Sequence, residues 1–220
     1  MARGRPPAYT RDQVVDAAVR LADADGLDAV TMRRVAAEIG AGAMSLYTYV
    51  PDRERLIDLM VDAVAGEPEL PALTGDWRAD VFALVSTQRD LMHRHRWLPG
   101  ALAGRGVSGR NLLGYLEHGL GAMEPTGLPG TTRMALIGMF TGFVASYVTG
   151  ELAGDPTGTE QAAQIGAVVA SGDFPRLAAV FAEGGGGTGP DFAVVADWVI
   201  TGLVRQAGDS FGGSAGKRRA

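Results

Sequence analysis

The chain has 220 residues, 46% of them apolar, and a formal net charge of −5. That length holds one large or two modest domains with a buried core, and the absence of cysteine excludes disulfide scaffolds, thiol catalysis and thiolate metal sites, leaving three histidines as strong nitrogen ligands. No run of 18 apolar residues occurs, and the opening Met1-Ala2-Arg3-Gly4-Arg5-Pro6-Pro7 lacks the apolar core of a secretory signal, so a cytoplasmic protein without membrane contact is expected.

In chain order, the first eleven residues carry Arg3, Arg5 and Arg11 and no acid, whereas Asp12, Asp16, Asp23, Asp25 and Asp28 follow. Overall acidity argues against a nucleic-acid partner, but this local basic start does not. Lys217 is the only lysine among twenty basic side chains, a bias read mostly as genomic base composition. Val14, Val15, Ala18, Leu21 and Ala22 have helical spacing, and Thr10 with Gln13 forms a capping box for a first helix ending near Gly26. Thr31 caps a second helix, Met32 to Ile39, stopped at Gly40, and a third runs from Ala43 to Tyr49 before Pro51. Asp52 caps a fourth helix with Leu56, Ile57, Met60, Ala63 and Val64 on one face, and Gly66, Pro68 and Pro71 punctuate its end. Further helices are predicted at Trp77–His95, Arg110–Met123, Thr132–Leu152, Glu160–Val169, Pro175–Glu183 and Pro190–Gln206, with a flexible glycine loop at Gly184–Gly189 and a disordered tail from Ser210. The fold class is all-α. The division expected is a flexible basic arm over 1–8, a helix-turn-helix domain over 9–66, a ligand-binding and dimerisation domain over 67–208 and a tail over 209–220.

The specific signal lies between Thr31 and Leu56, where two short helices meet at a glycine turn. Val35, Ala36, Ile39, Leu46 and Val50 can pack inward, with Ala36 small enough for close helix approach, while the second helix turns its outer face to a major groove. That face is Ala43, Met44, Ser45, Tyr47, Thr48 and Tyr49: hydroxyls for phosphates or base edges, and apolar groups for a thymine methyl. Arg33 and Arg53 flank it as phosphate clamps, each adding a salt-dependence slope of about −0.9. An ordinary helical hairpin with half-buried tyrosines and solvated arginines has the same spacing. Arg3-Gly4-Arg5-Pro6 fits both an arm lying in an AT-rich minor groove and a solvated tail.

These residues resemble the DNA-binding domain of the TetR family, whose pattern is matched by Thr31, Gly40, Leu46, Tyr47, Tyr49, Arg53 and Leu56. The resemblance covers residues 9 to 65 and implies DNA contacts at Arg33, Ser45, Tyr47, Thr48, Tyr49 and Arg53. Ala43 and Met44 depart from the Gln-Pro pair of the tetracycline-binding branch, so that branch's operator does not carry over. Trp77 to Gln206 is similar, more weakly, to the C-terminal domain of that branch, through Trp77, Arg96-Trp97-Leu98-Pro99, Leu116-Glu117, Gly127-Leu128, Asp191-Phe192 and Gly202-Leu203. The resemblance implies a homodimer through residues 132–152 and 190–206, with two recognition helices about 34 Å apart. It also implies a cavity near Leu84, Gln88, Leu116, His118, Met134 and Ile137, to which helical spacing from Gln88 adds Met92. Most of these serve equally as plain core; Gln88 and His118 are the sharper candidates, because buried polar groups need partners. No histidine lies in Ala101–Gly104, where the resemblance places a magnesium ligand, so an apolar or aromatic effector is expected rather than magnesium-tetracycline.

Gly104-Gly106-Gly109 and Gly184-Gly186-Gly189 match a dinucleotide-binding pattern, but neither follows a predicted strand, which that chemistry requires. His93 and His95 point to different sides of a helix and read as a solvated basic cluster with Arg94 and Arg96. No catalytic residue, metal site or cofactor is expected. The reading is a transcriptional regulator, a repressor, that binds double-stranded operator DNA as a dimer and is released by a small-molecule effector. A ligand-independent DNA-binding regulator and a nucleotide-dependent enzyme stand as alternatives.

Overall fold

The computed structural model describes residues 9–106, 109–153, 165–169, 172–183 and 191–215, with no strand among them. The arm with Arg3 and Arg5, residues 160–164 of one predicted helix, the Gly184–Gly189 loop and residues 216–220 lie outside the described residues.

Local chemistry sets the ends of the first helices. In α1 (Arg11–Asp25) the Thr10 hydroxyl accepts from the Gln13 amide at 3.2 Å while the Gln13 side chain accepts from the Thr10 amide at 2.9 Å, completing the capping box. Thr31 caps α2 (Met32–Glu38), and Gly40, at φ +68°, supplies the left-handed turn into α3 (Ala43–Leu46). α3 is shorter than predicted. Its last turn tightens, with the Tyr49 amide bonding the Leu46 carbonyl three residues back, as the chain approaches Pro51. Asp52 caps α4 (Arg53–Ala65) by accepting from the Arg55 amide at 2.7 Å. The inward faces of α1 to α4, including Val14, Val35, Ala36, Leu46, Val50, Leu56 and Met60, close one buried core.

The larger part of the chain is built from α5 (Trp77–Arg94), α6 (Leu98–Leu102), α7 (Arg110–Ala122), α8 (Gly130–Ala153), α9 (Pro175–Ala182) and α10 (Phe192–Ala215). α6 falls where the sequence suggested a break; Pro99 sits in its first turn, where a missing amide hydrogen costs nothing. α5 packs along α8 and against α7 and α10. The connection entering α5 is tied down by Asp80, whose buried carboxylate accepts from the Thr74 amide at 2.9 Å, the Thr74 hydroxyl at 2.8 Å and the Gly75 amide at 3.1 Å. The Thr74 amide bond leads the effects that hold this carboxyl below its usual range, against the opposing effect of burial.

α10 corrects one expectation: it continues past Gln206 to Ala215, into the segment read as a disordered tail. No proline interrupts it, Gly208 keeps a negative φ, and the Ser210 hydroxyl donates to the Gln206 carbonyl at 2.9 Å.

Candidate functional site

α3 stands at the surface. Met44 is 82% and Tyr47 49% exposed, Ser45 and Thr48 are open, and Leu46 between them is fully buried, so the helix is anchored by one face and presents the other. The side chain of Ala43 lies outside the described residues. The Ser45 hydroxyl donates to the Gly42 carbonyl at 2.6 Å, leaving its lone pairs outward. Tyr49, read as part of the outer face, is half-buried at the edge, where its hydroxyl accepts from the Tyr9 amide at 3.4 Å.

The two flanking arginines differ. Arg33 is exposed and has no acidic partner among the described residues, whereas its neighbour Arg34 pairs with Asp25. Arg53, expected to clamp phosphate, turns inward: Nε donates to the Val30 carbonyl at 2.7 Å and Nη2 to the Leu27 carbonyl at 3.0 Å. The Leu27 carbonyl also accepts from the Val30 amide at 3.1 Å, closing the short 3-10 turn at Leu27–Ala29 that Arg53 grips. In this conformation Arg53 fixes the start of α4 to the body of the small domain.

At the other end of α4 lies a cavity of about 580 Å³. Asp58, Val61 and Ala65 of α4 form one wall, α5 and α8 the opposite one, and α6, the loop after it and α7 the remainder. Gln88, Met92, Leu116, Met134 and Ile137 line it. Leu84 and His118 do not. Leu84 sits one turn before Gln88 and instead fills the space beside Gly119, with its Cδ2 3.3 Å from where a Cβ would stand. His118 is partly exposed and contributes favourable charge to Asp80, away from the cavity. Tyr115, Thr141 and Arg105 line the cavity unforeseen. Tyr115 lies three residues after Leu112, which also lines the cavity, a helical spacing that puts both on one face; Arg105 sits in a loop, where no periodicity points inward.

Two polar groups in this wall lack partners. The Gln88 amide nitrogen donates to the Thr141 hydroxyl at 3.2 Å, but its Oε1 is buried with no hydrogen bond, and either orientation of the amide leaves one atom unsatisfied. The Tyr115 hydroxyl has no hydrogen-bond partner among the described residues, and burial pushes its pKa up, keeping the proton available for donation.

Two family descriptions match the chain: "Bacterial regulatory proteins, tetR family" over residues 14–60, and "Tetracyclin repressor-like, C-terminal domain" over residues 67–206. A transcriptional repressor of the helix-turn-helix type, DrrR1 from Streptomyces coeruleorubidus, is 38% identical over 203 residues, covering 86% of this chain and 74% of that protein. The chain belongs to the TetR family. A second helix-turn-helix regulator, from Saccharopolyspora erythraea, is 31% identical over 206 residues, covering 92% of this chain and 87% of that one. Among solved structures, apo ActR from Streptomyces coelicolor superposes with a TM-score of 0.79 at 27% identity, over 94% of this chain and all of that one. ActR has also been solved in complex with actinorhodin.

In this TetR-family regulator the two matched regions meet on α4 and are clasped there. Asp62 of α4 accepts through Oδ1 from the Asn111 amide at 2.9 Å and the Leu112 amide at 3.0 Å, capping α7 from across the boundary. Gly109 makes room: a Cβ there would stand 2.1 Å from the Asp62 carboxyl carbon, and its φ of +124° excludes most side chains. A second clasp corrects the solvated reading of the histidines. His95 is buried, with Nδ1 2.8 Å from Asp23 of α1 and Nε2 3.0 Å from Glu67, while the Trp97 indole donates to the same Asp23 oxygen at 2.7 Å. His93 is taken up by Glu151 at 2.7 Å, beside Arg89. Acidic groups distant in sequence engage His93 and His95, while Arg94 and Arg96 remain exposed, Arg94 with Glu67 as a partner.

Proposed function

We propose that this TetR-family protein is a ligand-responsive repressor, a homodimer whose α3 faces enter successive major grooves and whose cavity takes an apolar or aromatic effector that releases DNA. The observation that carries this reading is the placement of α4, whose first residue is bonded to the small domain and whose later residues wall the cavity. A molecule that fills the cavity presses on a helix that sets the position of α3, so two α4 positions give two DNA-binding strengths. The enclosed volume and its mainly apolar lining suit a ligand of several fused or linked rings. ActR, of the same family, binds actinorhodin, which supports a ring-rich effector. Met44, Ser45, Tyr47, Thr48 and Arg33 are the DNA contacts proposed, joined by Ala43 and by Arg3 and Arg5 of the arm; Tyr49 and Arg53 act by positioning.

Dimerisation through α8 and α10 is supported by what those helices leave uncovered. α8 is long and apolar enough to cross a membrane by length and composition, yet only 28% of its most apolar stretch is buried in the single chain. Met139 on α8 and Trp198 on α10 are 52% and 61% exposed, so a second copy of the same pair of helices covers them. The reading is tested by selecting an operator from DNA flanking the gene and measuring its affinity for the protein and for Tyr47→Ala by fluorescence anisotropy. A loss of about tenfold with unchanged thermal stability is expected; equal affinities would remove α3 from the DNA interface.

A further inference from the structure

The cavity has two charged lining residues among those described, Asp58 and Arg105, and they are bonded to each other. Arg105, in the loop after α6, has a side chain only 21% exposed; Nη1 donates to Asp58 at 2.8 Å and Nη2 pairs with Glu54, both on α4. Arg53 lies 3.5 Å from Glu54 and Arg55 3.8 Å from Asp58, so each of these two carboxylates is shared by two guanidinium groups. The Nε–H of Arg105 has no acceptor among the described residues.

We infer that the effector is an aromatic acid, whose anionic oxygen binds Arg105 in competition with Asp58 and Glu54 while Gln88 Oε1 accepts a hydrogen bond from the ligand's far end. The inference rests on the cavity being the effector site. Asp58 is thus held by two guanidinium groups while Arg105 keeps an unbonded N–H, so this wall offers a donor to an anion rather than a free carboxylate to an ammonium. The guanidinium presents its donors in a fork that matches a carboxylate. A ligand anion at the unbonded Nε–H draws the guanidinium toward itself and away from Asp58 and Glu54, which loosens the contact between the cavity domain and α4. Binding and release then share one ion pair.

Two fluorescent probes that differ by a single acidic group test this: anilinonaphthalene sulfonate and its uncharged parent, N-phenyl-naphthylamine, titrated into the full chain. The sulfonate is expected to bind about tenfold more tightly than the parent, the scale of one charged hydrogen bond. Arg105→Gln removes that preference, so that the two probes bind alike within about twofold. Asp58→Asn, which takes away the competitor and keeps the guanidinium, tightens the sulfonate by about threefold or more. Equal binding of the two probes, a preference that survives Arg105→Gln, or no gain in Asp58→Asn overturns the inference. Gly142→Leu separates this from failure of the cavity itself: Gly142 lines the cavity and a Cβ there meets nothing within 4 Å, so the longer side chain fills the site. Loss of both probes in that variant places them in the cavity; unchanged binding of both would remove the cavity as the effector site, and the inference with it.

Discussion

The exposed face of α3 and the cavity beside α4 are built on opposite rules. The first is an exposed row of small, apolar and hydroxyl side chains on a helix held by the buried Leu46; the second is an apolar enclosure with a few polar atoms left unsatisfied. An exposed row binds by what it offers, and its residues change with little consequence for the fold. An enclosure is made of the residues that hold the fold, so function and stability are entangled there. α4 belongs to both, through Arg53 at one end and Asp58, Val61 and Ala65 further along.

The contrast is broken most severely at the junction. Gly109→Val forces a side chain into the Asp62 carboxylate at a backbone angle that L-residues avoid, and a loss of about 3 kcal/mol or more is expected by urea unfolding. A stability equal to the parent protein would mean that α7 is not held to α4 in this way. Asp80→Asn comes next, at about 1–3 kcal/mol, because the amide accepts fewer of the bonds from Thr74 and Gly75. The folded carboxyl is held below its usual range, so its contribution is present above the unfolded pKa and disappears as pH falls through the folded one. Thermal melts from neutral to acidic pH are expected to converge for parent and Asp80→Asn at the acid end, and a gap that persists there would contradict the assignment.

On the exposed face the expected effects are on DNA alone. Thr48→Ala lowers operator affinity by about 1 kcal/mol with an unchanged melting temperature, and a lowered melting temperature would place Thr48 in the core instead. Arg33→Ala is the smallest change: the logarithmic salt dependence of operator binding becomes shallower by about 0.9. An unaltered slope would leave Arg33 without a phosphate.

What was legible in the sequence follows the same division. The helix-turn-helix domain is encoded locally, where the caps at Thr10, Thr31 and Asp52, the turn at Gly40 and the apolar spacing all act over three or four positions. α1, α2 and α4 appear where the spacing placed them, and α3 starts there but ends three residues early. The cavity is assembled from α4 to α8, so helical period shows that Gln88 and Met92 share a face but not that Leu84, one turn earlier, lies beyond the cavity's end. Charges were the least legible. His95 and Arg53 read as solvent-facing or DNA-facing and Arg105 carries no reading at all, yet each is held inward by an acid or a carbonyl 23 to 72 residues away, a distance over which sequence spacing carries no information.

The central claim is that cavity and DNA face oppose each other through α4. It is tested most directly by measuring the affinity of a cavity ligand, identified by thermal shift from a panel of aromatic acids, with and without saturating operator. The account expects operator to weaken the ligand by the same factor by which the ligand weakens operator, about fivefold or more; affinities that are independent of each other would contradict it.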